Sequence, residues 1–267
     1  MDDTHDDSYR VRVLEDGSPD KDTPMTQRHK SIYLLPNAFT TAALFGAFFA
    51  IIQATKGEFG YAAIAIFCSM VLDGMDGRVA RLTNTQSAFG EQYDSLADMV
   101  SFGVAPALIV FIWQLKDLGT GRLGTIVAFT YCVCAALRLA RFNANIGVID
   151  KKFFQGLPSP SAAALVAGFV WLVSEDHLTL PPNVLPYATL AITLFAGLSM
   201  ITNLPYYSCK AMDILHSVTF PKLILFVGVM LLVISKPSLM LFALFIAYAL
   251  SGYVIGLLRY WRSAKAG

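Results

Sequence analysis

Uncharged, mostly apolar stretches recur along the chain at 33–55, 59–72, 99–115, 123–137, 153–174, 178–209, 223–235 and 237–258. A helix needs about 20 residues to cross a bilayer, with latitude for tilt, so the pattern predicts eight membrane spans. The sixth stretch is too long for one helix. Pro181, Pro182 and Pro186 mark its entry and predict a helix over roughly 184–200. The second and third stretches are too short. Both are flanked by aspartates, and the expected helices run on through them, turning the acids toward the bundle interior. Charged groups at membrane depth are rare and usually functional.

Composition agrees with lipid as the main solvent. Of the 267 residues, 55% are hydrophobic and only 15% charged, against about a quarter charged in an ordinary soluble domain. The net charge of +1 gives no basic block for nucleic acid, and none is expected as a partner. Cys68, Cys132, Cys134 and Cys209 lie in or beside apolar stretches and read as packed thiols. His5, His29, His177 and His216 show no ligand spacing. The first 26 residues are polar and acidic, without the apolar core of a signal peptide, and read as a disordered cytoplasmic tail.

Charge also sets the orientation. With the N-terminus in the cytoplasm, 16 of the 20 Lys and Arg residues fall on the inner side. Only Lys56, Lys116, Arg122 and Lys236 fall outside, as the positive-inside rule asks. The fold expected is an all-α integral membrane protein with about eight transmembrane helices and both termini cytoplasmic.

The segment between the second and third spans carries the candidate chemistry. Asp73 and Asp76 are three apart, and Asp94 and Asp98 four apart. Either spacing puts both carboxylates on one helical face. Two such helices, antiparallel across a short cytoplasmic turn, bring four carboxylates together. Their mutual repulsion calls for a divalent cation, and an all-oxygen set suits Mg2+, Mn2+ or Ca2+. Two ions could clamp both oxygens of a phosphoryl displacement. Gly74, Gly77 and Ala80 leave room for close approach, and the planar fork of Arg81 suits phosphate. The competing reading is a structural salt-bridge cluster using Arg78 or Arg81, which accounts for two carboxylates at most.

Written as D-x2-D-G-x2-A-R-x8-G-x3-D-x3-D, residues 73–98 resemble the signature of the CDP-alcohol phosphotransferases. The resemblance implies that Asp73, Asp76, Asp94 and Asp98 bind metal, as two Mg2+ or Mn2+ ions, and that Asp98 also acts as catalytic base. It implies CDP-lipid contacts from Gly77, Ala80, Arg81 and Ser87. Upstream, Asn37 and Thr40 match the N-x-x-T element that opens the first helix in this family, which implies that they too help hold the nucleotide; taken alone they read as a plain helix start.

Further stretches at 101–106, 137–143 and 154–160 resemble the branch of the family whose acceptor is L-serine and whose donor is CDP-diacylglycerol. Arg138 and Arg141, three apart at a cytoplasmic helix end, either hold a lipid phosphate or the serine carboxylate, or simply anchor topology. Asn143, Gly156 and Ser159 join them as acceptor or phosphate contacts, and residues 156–160 read as a rigid turn before the fifth helix.

The resemblance divides the chain into a six-helix catalytic core, 27–208, and two accessory helices in 209–267. It also implies the bacterial inner membrane, a cytoplasm-facing site and a homodimer. Two alternatives stay open. One keeps the chemistry with glycerol 3-phosphate, inositol phosphate or choline as acceptor; the other is a membrane cation transporter.

Overall fold

Helices α1 (Gln27–Thr55) and α2 (Phe59–Thr83) turn back on each other through a tight connection at Lys56–Glu58. They come from a computed structural model, which describes residues 27–83, 85, 87–119, 121–144, 153–207, 228, 231 and 233–266. Their seam is made of small residues. Ala43, Ala47, Ala50 and Ala54 on α1 are buried, as are Ala62, Ala63, Ala65 and Ile66 on α2. Without a strong hydrophobic drive between helices in lipid, such residues bring backbones close enough for packing and hydrogen bonds. Ser69 Oγ donates to the Ala43 carbonyl at 2.6 Å, which fixes the two helices in register near the end that carries Asp76.

The aspartate helices do continue as the pattern predicts. Helix α2 runs unbroken through Asp73 and Asp76. The third rod runs from Ala88 to Leu115, comprising α3 (Ala88–Asp98), a π-helical segment (Met99–Val104), α4 (Ala105–Val110) and a second π-helical segment (Phe111–Leu115). Helix α5 (Arg122–Ala144) returns across the bundle, and Tyr131 on it donates to the Phe102 carbonyl at 3.0 Å.

Helices α6 (Ser159–Ser174) and α7 (Leu185–Ile201) are shorter. Every residue of α6 from Ala162 to Leu172 is buried, so it is the central helix, packed against α2, α7 and α8 (Pro237–Ala266). Five helical segments are long and apolar enough to cross a membrane among the described residues: Pro36–Thr55, Phe59–Thr83, Ala88–Leu115, Arg122–Ala144 and Pro237–Leu258. The chain is thus a helical membrane protein. The expected tail, 1–26, lies outside the described residues, as does most of the seventh span, 223–235.

The structure adjusts two sequence expectations. The first helix begins at Gln27, so Asn37 and Thr40 sit inside it rather than opening it, and Pro36 is also internal. Of the apolar stretch 153–174 only the part from Ser159 is helical, because Pro158 and Pro160 favour a helix entry there, so the helix starts within the turn expected at 156–160. The residues before it form β1 (Phe153–Gln155), paired antiparallel with β2 (Pro205–Tyr207), with Phe154 opposite Tyr206. Gly156 follows β1 at φ +80 and makes the turn. An added Cβ there would collide with the Met200 carbonyl.

Candidate active site

The α2 C-terminus and the α3 N-terminus are separated by only four residues, 84–87, so their acidic faces meet at one end of the bundle. One ligand oxygen from each of Asp73, Asp76 and Asp94 lies within 4.8 Å of the others. Asp98 stands one turn beyond Asp94, beside Asp73. The carboxyls pair closely, Asp76 with Asp94 and Asp73 with Asp98, at hydrogen-bond range. Like charges hold such proximity only with a proton or a cation between them.

This geometry fits a divalent ion. The donors are all oxygen, which suits hard cations, and Asp98 Oδ1 is buried with no hydrogen-bond partner among the described residues. A buried, unsatisfied carboxylate oxygen calls for a ligand. The three-aspartate group can therefore hold a metal.

Neighbouring elements fix the acids. Thr40 Oγ1 on α1 donates to Asp76 Oδ2 at 2.6 Å and bonds back to the Pro36 carbonyl at 3.2 Å. The same turn of α1 reaches α3 through Thr41 and Tyr93, whose hydroxyls are 2.9 Å apart. Ser87 is the N-cap of α3, its side chain accepting from Gly90 N at 3.0 Å, a bond that satisfies one orphan donor of the helix start.

Asp76 and Asp94 form part of the wall of an open cleft of about 230 Å³, together with Asn37, Thr40, Gly77, Ala80, Arg81 and Ser87. All six residues named from the sequence for the CDP-lipid thus line one cleft. Sequence reasoning missed Thr85 and Glu91, which line it too. Thr85 sits in the connecting turn with its hydroxyl 2.7 Å from that of Thr83, and Glu91 occupies an unconstrained position of the motif. Neither had a signal of its own.

The acceptor candidates lie on the other flank of the acids. Arg138 on α5 is buried and interacts electrostatically with Asp98. Its Nη1 donates to Ser159 Oγ at 2.8 Å, at the first residue of α6, while its Nε has no partner among the described residues. Asn143 Nδ2 donates to Ser95 Oγ at 3.0 Å and ties the end of α5 to α3. Arg141 turns elsewhere. Its guanidinium donates to the carbonyl of Gln155 at 2.8 Å, to those of Met200, Ile201 and Thr202 at 3.3–3.4 Å, and to Asn203 Oδ1 at 3.1 Å. It thereby joins the end of α7 to β1 and Gly156.

Comparison with known proteins gives a consistent result. Residues 33–201 match the CDP-alcohol phosphatidyltransferase family. The CDP-diacylglycerol–serine O-phosphatidyltransferase of Helicobacter pylori is 40% identical over 179 residues, covering 67% of this chain and 74% of that protein. The enzyme of the same name from Mycobacterium leprae is 36% identical over 154 residues, 56% of this chain and 50% of that one. Its counterpart from Methanocaldococcus jannaschii is 40% identical over 141 residues, 53% and 61% respectively.

Proposed function

The chain belongs to the CDP-alcohol phosphatidyltransferase family, and from that membership we propose that it transfers the phosphatidyl group of CDP-diacylglycerol to the hydroxyl of L-serine. The products are phosphatidylserine and CMP. The observation that carries this reading is the gathering of Asp73, Asp76 and Asp94 within 4.8 Å beside a cleft whose walls are the six nucleotide candidates.

The donor's cytidine and diphosphate occupy that cleft. Asn37, Ser87 and the small residues Gly77 and Ala80 admit the nucleotide closely, and Arg81 pairs with its phosphate oxygens. Asp73, Asp76, Asp94 and Asp98 would hold the divalent ions, two Mg2+ or Mn2+. When bound, these supply charge neutralisation for the diphosphate and its departing oxygen. Thr40 fixes the angle of Asp76. Serine approaches from the Arg138 side, its carboxylate on the guanidinium and its hydroxyl at Asp98. Asp98 takes the hydroxyl proton. The serine oxygen forms a bond to the β-phosphorus as the bond from that phosphorus to the bridging oxygen breaks, and CMP leaves with the electron pair. Asn143 and Ser159 support this flank through Ser95 and Arg138. Arg141 and Gly156 hold the turn from which Ser159 projects.

The surrounding proposal is an eight-span protein of the bacterial inner membrane, with both termini and the site in the cytoplasm. It has a 27–208 core and acts as a homodimer. The sixteen-to-four basic asymmetry supports that orientation.

The test is CMP release by purified protein given CDP-diacylglycerol, a divalent cation and one alcohol at a time. L-Serine should support release, while glycerol 3-phosphate, inositol phosphate and choline should not. Release with one of those and not with serine would reassign the acceptor. No release with any of them would remove the transferase reading.

A further inference from the structure

Two side chains of opposite charge line the nucleotide cleft without pairing. Arg81 on α2 and Glu91 on α3 both reach its wall, yet neither forms an ion pair among the described residues. Arg81 serves the acid end: its Nη1 lies 3.5 Å from where a Cβ would stand on Gly77, the residue after Asp76. Glu91 stands at the other end, exposed in the first turn of α3. A carboxylate there repels a diphosphate, so its partner in a bound nucleotide is another part of that molecule.

The helix fixes how far Glu91 is from the chemistry. Asp94 lies one turn further along α3 and Asp98 two, so Glu91 precedes Asp98 by seven residues, roughly 10 Å along the axis. Residues three apart share a helical face, and Glu91 opens onto the cleft on the same side as Asp94. With the β-phosphorus held at the acids, the α-phosphate and ribose span that interval, and the base comes to rest beside Glu91. Asn37 on α1 is there too, its Oδ1 3.5 Å from where a Cβ on Gly90 would stand.

The side chains at this end differ in what they can tell apart. The hydroxyls of Thr85 and Ser87 and the amide of Asn37 both donate and accept, so they suit either pyrimidine. An ionised carboxylate only accepts. Cytosine presents an exocyclic amine where uracil presents a carbonyl oxygen, so only cytosine satisfies it. We propose that Glu91 selects the base of the donor: its carboxylate accepts a hydrogen bond from the cytosine amine and turns away uracil. This rests on the reading of the cleft as the seat of the donor's nucleotide. It adds a specificity-determining residue at a position that the motif leaves open.

The experiment uses the full-length protein in detergent with Mn2+ and measures the binding of CDP and of UDP by calorimetry. The unaltered protein should bind CDP about tenfold or more tightly than UDP, the discrimination that one carboxylate–amine pair gives. Glu91→Gln keeps the shape but lets the amide turn to serve either base. Its preference for CDP should shrink to within about threefold, because CDP binds less tightly while UDP does not. Glu91→Ala, which offers neither base a partner, should lose the preference as well.

A preference for CDP that survives both substitutions would overturn the proposal. So would an equal change in both affinities: equal weakening marks Glu91 as a further metal ligand, and equal tightening marks it as a charge opposing the diphosphate. An unaltered protein that binds CDP and UDP alike leaves the nucleotide reading standing and removes selection by Glu91. One that binds neither with Mn2+ present removes the nucleotide reading and this inference together.

Discussion

A carboxylate that ligates metal needs its angle held, and Asp76 has that from Thr40, which reaches it from another helix at 2.6 Å. Asp98 is held differently. It adjoins Asp73 and Arg138, and its Oδ1 is buried without a partner among the described residues. Asp98→Asn removes the base and keeps the shape. Turnover should fall by about 10²–10⁴-fold while CDP binding, followed by calorimetry, stays near its original strength; near-normal turnover would refute the assignment. The four aspartates were legible in the sequence because helical spacing alone puts each pair on one face. Thr85, Glu91 and the pairing of Arg138 with Ser159 were not. The first two line the cleft only because of how a short turn folds, and the third joins residues 21 apart through packing that no local pattern encodes.

At the scale of elements, the apolar pattern located the rods and their passage through the acids, since lipid demands long helices with satisfied backbones. It did not locate the strand pair at 153–155 and 205–207, because three-residue strands carry no period to read. Nor did it identify the role of Arg141, whose partners are mostly backbone carbonyls. The last carbonyls of α7 have no intrahelical donors, and Arg141 caps them while holding β1. Arg141→Ala should lower stability by about 2 kcal/mol or more, since several charge-assisted bonds go at once. Lysine, a point charge without the fork, should rescue it only partly. Thermal unfolding in detergent checks this, and a variant as stable as the original protein would contradict the clamp.

For the molecule as a whole, helices from distant parts of the sequence converge on one end of a membrane bundle. There, α1 steadies Asp76 while α2 and α3 supply the acids. On the far flank, α5 brings the arginine and α6 its serine partner, with α8 packed behind. A partly buried cluster of like charges is costly unless a ligand compensates it, so metal and nucleotide should bind as one unit. The measurement that addresses this directly is Mn2+ binding by the purified protein, read by electron paramagnetic resonance with and without CDP. CDP should tighten Mn2+ binding by about tenfold or more, and Asp76→Ala should lose both the binding and the coupling. Mn2+ affinity indifferent to CDP and unchanged by Asp76→Ala would contradict the account.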